Sequence, residues 1–322
     1  MRIRFAQCLL ASITAFASLV AHADGTAHSL DKVPAQFDTP EARAAYHSDM
    51  GGSPDADGFG THLPAGFTKQ MLVAQLAPGQ DTARVVLAGA KPWPQRANTF
   101  IAIVCIAPSV ELAQQALHFT APTTCDGYDS GAGANIDPVK NLVWLGMFER
   151  GTDGVPRLIA RTEKPLDAAT DWGSTNLDAP DALDANDAND QHGDRSLRPE
   201  QWLRFDFAPY LLRAGDYAFG VRAGWSVGYS GGGASFEALY LFRVDGTALR
   251  VVFAQPTMFY RDIAGDWHPN GTRDHDLSDG SNTLTVLPTS TNGFRDWQLR
   301  QRGGKWRQTF YWSAANGQYK AR

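Results

Sequence analysis

The residues best suited to chemistry lie in the last third of the chain. Gly228-Tyr229-Ser230-Gly231-Gly232 fits G-x-S-x-G, the turn that lifts a nucleophilic serine above the sheet of an α/β-hydrolase. That chemistry needs a strand before the turn, a helix after it, and then an acid and a histidine to take the hydroxyl proton. Residues 216–225 (DYAFGVRAGW) read as the strand, and Asp266 with His275, or Asp262 with His268, would complete a triad. The downstream residues do not suit a helix. Phe236, Ala238, Tyr240 and Phe242 alternate with period two, which is a strand pattern. A glycine-rich turn between two strands accounts for the same residues. The expectation is therefore a protein without catalysis, with a serine hydrolase built on Ser230 and His275 as the alternative.

The second candidate is AGDWHPNGTRDHDLSDG, residues 264–280. Asp266, Asn270 and Asp274 stand where oxygen ligands of a calcium loop would stand, and Gly271 allows the sharp turn such loops make around a hard cation. The segment resembles the single motif of FG-GAP repeats, in which a Gly-Asp-Trp lead-in precedes the loop. That resemblance covers about a dozen residues of 322 and implies calcium as the bound ion. It departs at the third ligand position, where His268 offers an imidazole, and at Pro269, which stiffens the loop. A plain Asn-Gly hairpin turn, with Asp side chains capping backbone amides, is the competing expectation. The histidines and acids could instead hold a transition metal, although no cysteine joins them and their spacing fits no zinc signature.

Aromatic residues crowd the C-terminal part: Trp202, Trp225, Trp267, Trp297, Trp306 and Trp312, with Tyr217, Tyr229, Tyr240 and Tyr260. Most are expected in the core, because strands favour aromatics for packing. Trp225, Tyr229 and Trp267 flank the glycine-rich and Asp/His segments, so they are the expected exposed patch for a sugar or a protein partner. Asp178, Asp181, Asp184, Asp187, Asp190 and Asp194 form a ladder of acids within 176–200. That stretch has too little apolar content to order itself and reads as an acidic loop or linker.

The elements that must carry these residues follow from the apolar pattern. Residues 70–77, 83–90 and 98–107 read as short strands between Pro/Gly turns, and 109–119 has helical spacing after Ser109. From Leu142 onward the pattern is almost wholly β. Three hairpins are expected, at 142–150 with 156–162, at 238–243 with 248–254, and at 297–302 with 305–312, each around a Gly-containing turn. They share a plan, but an ordinary antiparallel meander explains it as well as a repeat does. Residues 24–66 read as a mostly irregular arm with a short helix at 39–47, capped by Thr39. The fold expected is predominantly β α+β. It has an N-terminal part over 67–175, the acidic segment 176–200, and an antiparallel sandwich or meander over 201–322.

The N-terminus carries Arg2 and Arg4, then an uncharged apolar stretch from 5 to 20, then Ala21-His22-Ala23. This is the form of a secretory signal peptide over 1–23, too short in its apolar run to span a bilayer. Setting aside Arg2 and Arg4 from 29 basic residues against 34 acidic ones leaves a net charge of −7. An acidic chain does not suit nucleic acid or an anionic membrane surface. Cys105 and Cys125 remain after cleavage and are expected to form a disulfide in an oxidising compartment. No phosphate-binding loop, dinucleotide fingerprint, H-E-x-x-H or C-x-x-C is present. The functional expectation is an exported, soluble binding or interaction protein of the bacterial envelope, periplasmic or secreted. Its partner is another protein or a cell-wall glycan, and a calcium-stabilised structural envelope protein is a further alternative.

Overall fold

The computed structural model describes residues 25–50, 56–118, 122–126, 140–180 and 196–322. The signal-like residues 1–23 and most of the acidic ladder fall outside the described residues. Among the described residues, no helix is long and apolar enough to cross a membrane.

The chain opens on β1 (Gly25–Ala27), α1 (Val33–Gln36) and α2 (Pro40–Met50), followed by α3 (Lys69–Leu76). Next come β2 (Val85–Pro92), β3 (Thr99–Ile106), α4 (Val110–Ala116), β4 (Cys125–Asp126), β5 (Leu142–Arg150) and β6 (Pro156–Arg161). Two short strands, β7 (Thr170–Asp171) and β8 (Ser196–Leu197), pair with each other. The long strands are β9 (Gln201–Arg213), β10 (Asp216–Tyr229), β11 (Gly232–Asp245), β12 (Ala248–Trp267) and β13 (Arg273–Thr291). The chain ends on β14 (Phe294–Gln301), β15 (Arg307–Ser313) and β16 (Gln318–Ala321).

The result is a predominantly β α+β fold around one large mixed sheet that curls near to a barrel. Its main path runs antiparallel from β16 back through β9 to β4, in reverse chain order through β9. β2, β3, β5 and β6 form a second run, and β6 meets β12 in parallel where Arg161 faces Ala248. β1 lies along β13, with Ala27 opposite His275.

The apolar pattern of the central strands follows from burial on both faces. In β3, Ile101, Ile103 and Cys105 enter the main core with Phe219, Tyr240 and Phe242. The alternate residues Phe100, Ala102, Val104 and Ile106 pack under α3. In β11, Phe236, Ala238, Tyr240 and Phe242 face that main core, while Leu239 and Leu241 pack against Trp297, Leu299 and Phe310. All three expected hairpins form, with Gly154, Gly246 and Gly303 in the left-handed region at their turns. Cys105 and Cys125 stand at disulfide distance, their Cα atoms 5.9 Å apart, so the expected bridge ties β3 to β4.

Two expectations need correction. Where a strand was expected over 70–77, the chain forms helix α3, Lys69–Leu76: Thr68 caps it by accepting the Met71 N–H at 3.1 Å. Leu72, Val73 and Leu76 then share the face that packs on β3 and β5. A short apolar run suits either period, and the cap decides it. The described residues of the arm, 25–50 and 56–66, are also more ordered than its composition indicates. Buried Asp279 accepts the N–H groups of Asp38 and Thr39 and the Thr39 hydroxyl. Phe37 and Tyr46 pack edge-on against Tyr260 of β12. These partners lie more than 200 positions away in the chain, beyond any local pattern.

Candidate functional site

Two hairpin tips stand side by side at one end of the sheet. The first joins β10 to β11. Tyr229 pairs with Gly232, so Ser230 and Gly231 form a two-residue turn, with Gly231 at φ +88°. The positive φ is what favours glycine at Gly231, and a Cβ there would displace the Arg273 guanidinium, whose Nη1 would stand 2.5 Å away. A strand follows Ser230 where a nucleophile elbow requires a helix. His275, the base of the hydrolase alternative, is buried and hydrogen-bonded through Nδ1 to Asp262 Oδ1 at 2.7 Å.

The second tip joins β12 to β13. Trp267 pairs with Arg273, and residues 268–272 close the turn. The His268 N–H donates to Thr272 O at 2.8 Å, and Gly271, at φ +81°, donates to His268 O at 3.0 Å. Asn270 Oδ1 accepts both the N–H and the hydroxyl of Thr272, at 3.0 and 2.7 Å. This is the side-chain turn expected of Asn-Gly, and it uses the oxygen assigned to calcium. Arg273 braces both tips. Its Nε donates to Gly265 O at 2.8 Å and its Nη1 to Ser230 O at 3.3 Å. Its guanidinium lies 5.3 Å from the Trp267 ring.

The three aromatics expected as a patch divide. Trp267 is 69% exposed. Trp225 is not part of any surface: it is 1% exposed, packs edge-on against Trp172, and donates its indole N–H to Arg198 O at 2.9 Å. The glycines near Trp225 suggest a loop, but β10 continues four residues past it, so its side chain stays inside the sheet. Tyr229 ends β10, and its side chain lies outside the described ones.

The outer face of this tip carries a convergence that spacing does not show. Asp274 Oδ1 meets His268 Nε2 at 2.7 Å and His28 Nδ1 at 2.8 Å. Among the described residues, His28, His268 and Asp274 form the one His/Cys/Asp/Glu group whose ligand atoms could share an ion. Asp266 does not join it. Both imidazoles hold the Asp274 carboxyl below its ordinary range by hydrogen bonding, His28 first and His268 second. Gly265 lies beside the Asp274 backbone, and a Cβ there would stand 3.3 Å from Asp274 Cβ. Sequence reasoning missed His28 because it directly follows β1, 246 residues from Asp274 in the chain.

Clefts lie elsewhere, and two of them gather acidic and basic side chains. One, of about 340 Å³, sits beside the disulfide and includes Lys140, Asp167, Arg198 and Glu200, whose carboxyl is raised by burial. The other, of about 410 Å³, lies between the end of α2 and β9–β11 and includes Asp49, Asp126, Arg204 and Glu237.

Comparison with known proteins finds no matching family model, no matching curated protein and no matching solved structure.

Proposed function

We propose that this chain is an exported, non-enzymatic binding protein of the bacterial envelope, periplasmic or secreted, which engages its partner through the paired hairpin tips. The carrying observation is Trp267: a large ring left 69% exposed and held by Arg273. An exposed indole adds little to folding, but pre-positioned on a braced turn it is an efficient anchor, because little side-chain freedom remains to be lost on binding. Ile263, also on β12, is 47% exposed and offers a second accessible apolar position on that strand. The signal-like leader and the cysteine pair support export. The partner is an envelope protein or a cell-wall glycan.

The test compares wild type with Trp267→Ala in two arms. One is co-sedimentation with purified peptidoglycan sacculi. The other is crosslinking to envelope proteins from a photoreactive residue at position 263. Association in one arm that the variant loses, with melting unchanged within about 1 °C for a surface change, supports the reading. Identical behaviour of the two proteins in both arms contradicts it. Fluorophosphonate labelling that Ser230→Ala abolishes would replace it with the hydrolase.

A further inference from the structure

We propose that His28, His268 and Asp274 form a binding site for a divalent transition-metal ion of the zinc, nickel or copper class, independent of the Trp267 contact. The three ligand atoms already lie within 4.8 Å of one another. Two of their separations are 2.7 and 2.8 Å, along the bonds to Asp274 Oδ1. Around a zinc ion with bonds near 2.0–2.2 Å, tetrahedral ligand atoms stand about 3.3 Å apart. Seating an ion therefore needs only a small opening of this cluster.

Each ligand is delivered by a different backbone device. Ala27 opposite His275 fixes β1, and with it His28, beside β13. The bond from the His268 N–H to Thr272 O fixes the start of the turn. Asp274 follows Arg273, whose pairing with Trp267 sets the start of β13 beside the turn. The two rings flank the carboxylate with centroids 6.2 Å apart, inclined at 68°.

The donor set chooses the ion. Two imidazoles and one carboxylate suit zinc, nickel and copper, whereas calcium and magnesium take oxygen donors almost exclusively. Hydrogen bonding alone is a weak reason for the arrangement. The His28 side chain is 79% exposed, and a bond from such a group to a carboxylate is worth little against water. The open side leaves the remaining coordination positions to water or to a donor from another molecule. Because His28 and Asp274 are so distant in sequence, a bound ion also clips the N-terminal strand to the hairpin.

The experiment is calorimetric titration of the untagged protein with zinc chloride and nickel chloride, alongside thermal melting. We expect one ion per chain and, at one hundred times Kd, a melting temperature raised by about 5 °C. His28→Ala and His268→Ala should each weaken binding about 100-fold or more, as loss of a direct ligand exceeds the 10–100-fold cost of losing its supports. Both side chains are solvent-accessible, so both variants should fold. Asp274→Asn keeps the shape of the side chain and should weaken binding likewise. His62→Ala, an exposed histidine elsewhere, and Trp267→Ala should bind as wild type, so loss of this site and loss of the partner surface read out separately. Absence of binding at 100 µM metal overturns the proposal. Binding that survives His268→Ala and Asp274→Asn overturns it too, since the ion is then elsewhere. A calcium-dependent stabilisation abolished by Asp266→Ala, without zinc or nickel binding, would return the loop to the calcium reading.

Discussion

Asp57 shows how much order one carboxylate can impose. It accepts the N–H of Gly60 at 2.7 Å, the N–H of Thr61 at 2.8 and 2.9 Å, and the Thr61 hydroxyl at 3.0 Å. Gly60 sits at φ +73°, and a Cβ there would stand 2.5 Å from Ala90 O, so the turn that Asp57 bonds needs glycine at this position. Burial pushes the Asp57 carboxyl up, but the Thr61 and His62 contacts outweigh it and hold the group at about 2. An unfolded aspartate titrates near 3.9. The folded value is the lower one, so the stabilisation is full above pH 4 and is lost as pH falls toward 2. Asp57→Asn should cost about 1 kcal/mol at pH 7, after discounting for the solvent the carboxylate still meets. Melts at pH 7 and pH 2.5 check this: the gap should narrow at the lower pH, and an equal gap at both would contradict it. Trp225 makes the opposite point. Its burial beside Trp172 and Phe236 predicts that Trp225→Ala costs about 3–5 kcal/mol. A loss under 1 kcal/mol in a urea titration would return it to the surface patch.

At the level of elements, β10 carries a charge network across the middle of the sheet. Arg222 donates to Asp206 at 2.7 Å, to Glu237 at 3.1 Å and to Thr257 at 2.8 Å, while Arg204 holds the other Glu237 oxygen at 2.6 Å. Burial works against the Arg222 charge, but Glu237 and Asp206 outweigh it and raise its affinity for the proton. Arg222→Met should therefore destabilise by about 3 kcal/mol, because the acids stay largely buried without their cation. Urea unfolding measures it, and a loss under 1 kcal/mol would mean that Arg204 alone satisfies both. None of this network was legible in the sequence, since its members sit on four strands whose register no local pattern supplies. The strands themselves were legible. β5 was expected over 142–150, and β3 falls within 98–107, because residues buried on both faces leave long apolar runs. Helix α3 was not, because eight apolar-rich residues satisfy both periods and only Thr68 distinguishes them. Half of the candidate site was legible. Asp266, Asn270 and Asp274 pointed to calcium, and of these only Asp274 joins the cluster; His268 stood out as the departure from that pattern and as a transition-metal candidate, whereas His28 reaches them only through the pairing of β1 with β13.

At the scale of the whole molecule, the question is whether 67–175 and 201–322 unfold together. They share a core: Ile103, Leu145 and Met147 pack in the same cluster as Phe219, Tyr240 and Phe242. They share the sheet through Arg161 and Ala248, and β4 pairs with β9, Cys125 facing Trp202. Unfolding either part would strip the apolar face of the other, so a single cooperative transition is expected. The disulfide reinforces this coupling, since it joins β3 of one run to β4, which lies on the edge of the other. Its closed loop spans 20 residues, which chain entropy values at about 3 kcal/mol. Replacing both cysteines with alanine should lower the unfolding free energy by about that amount without dividing the transition. Urea curves followed by far-ultraviolet dichroism and by tryptophan fluorescence test both points. Coincident curves in the oxidised protein and in the variant would establish one cooperative unit with the bridge as an added constraint. Curves that separate only in the variant would mean that the bridge couples two units that the shared core alone does not.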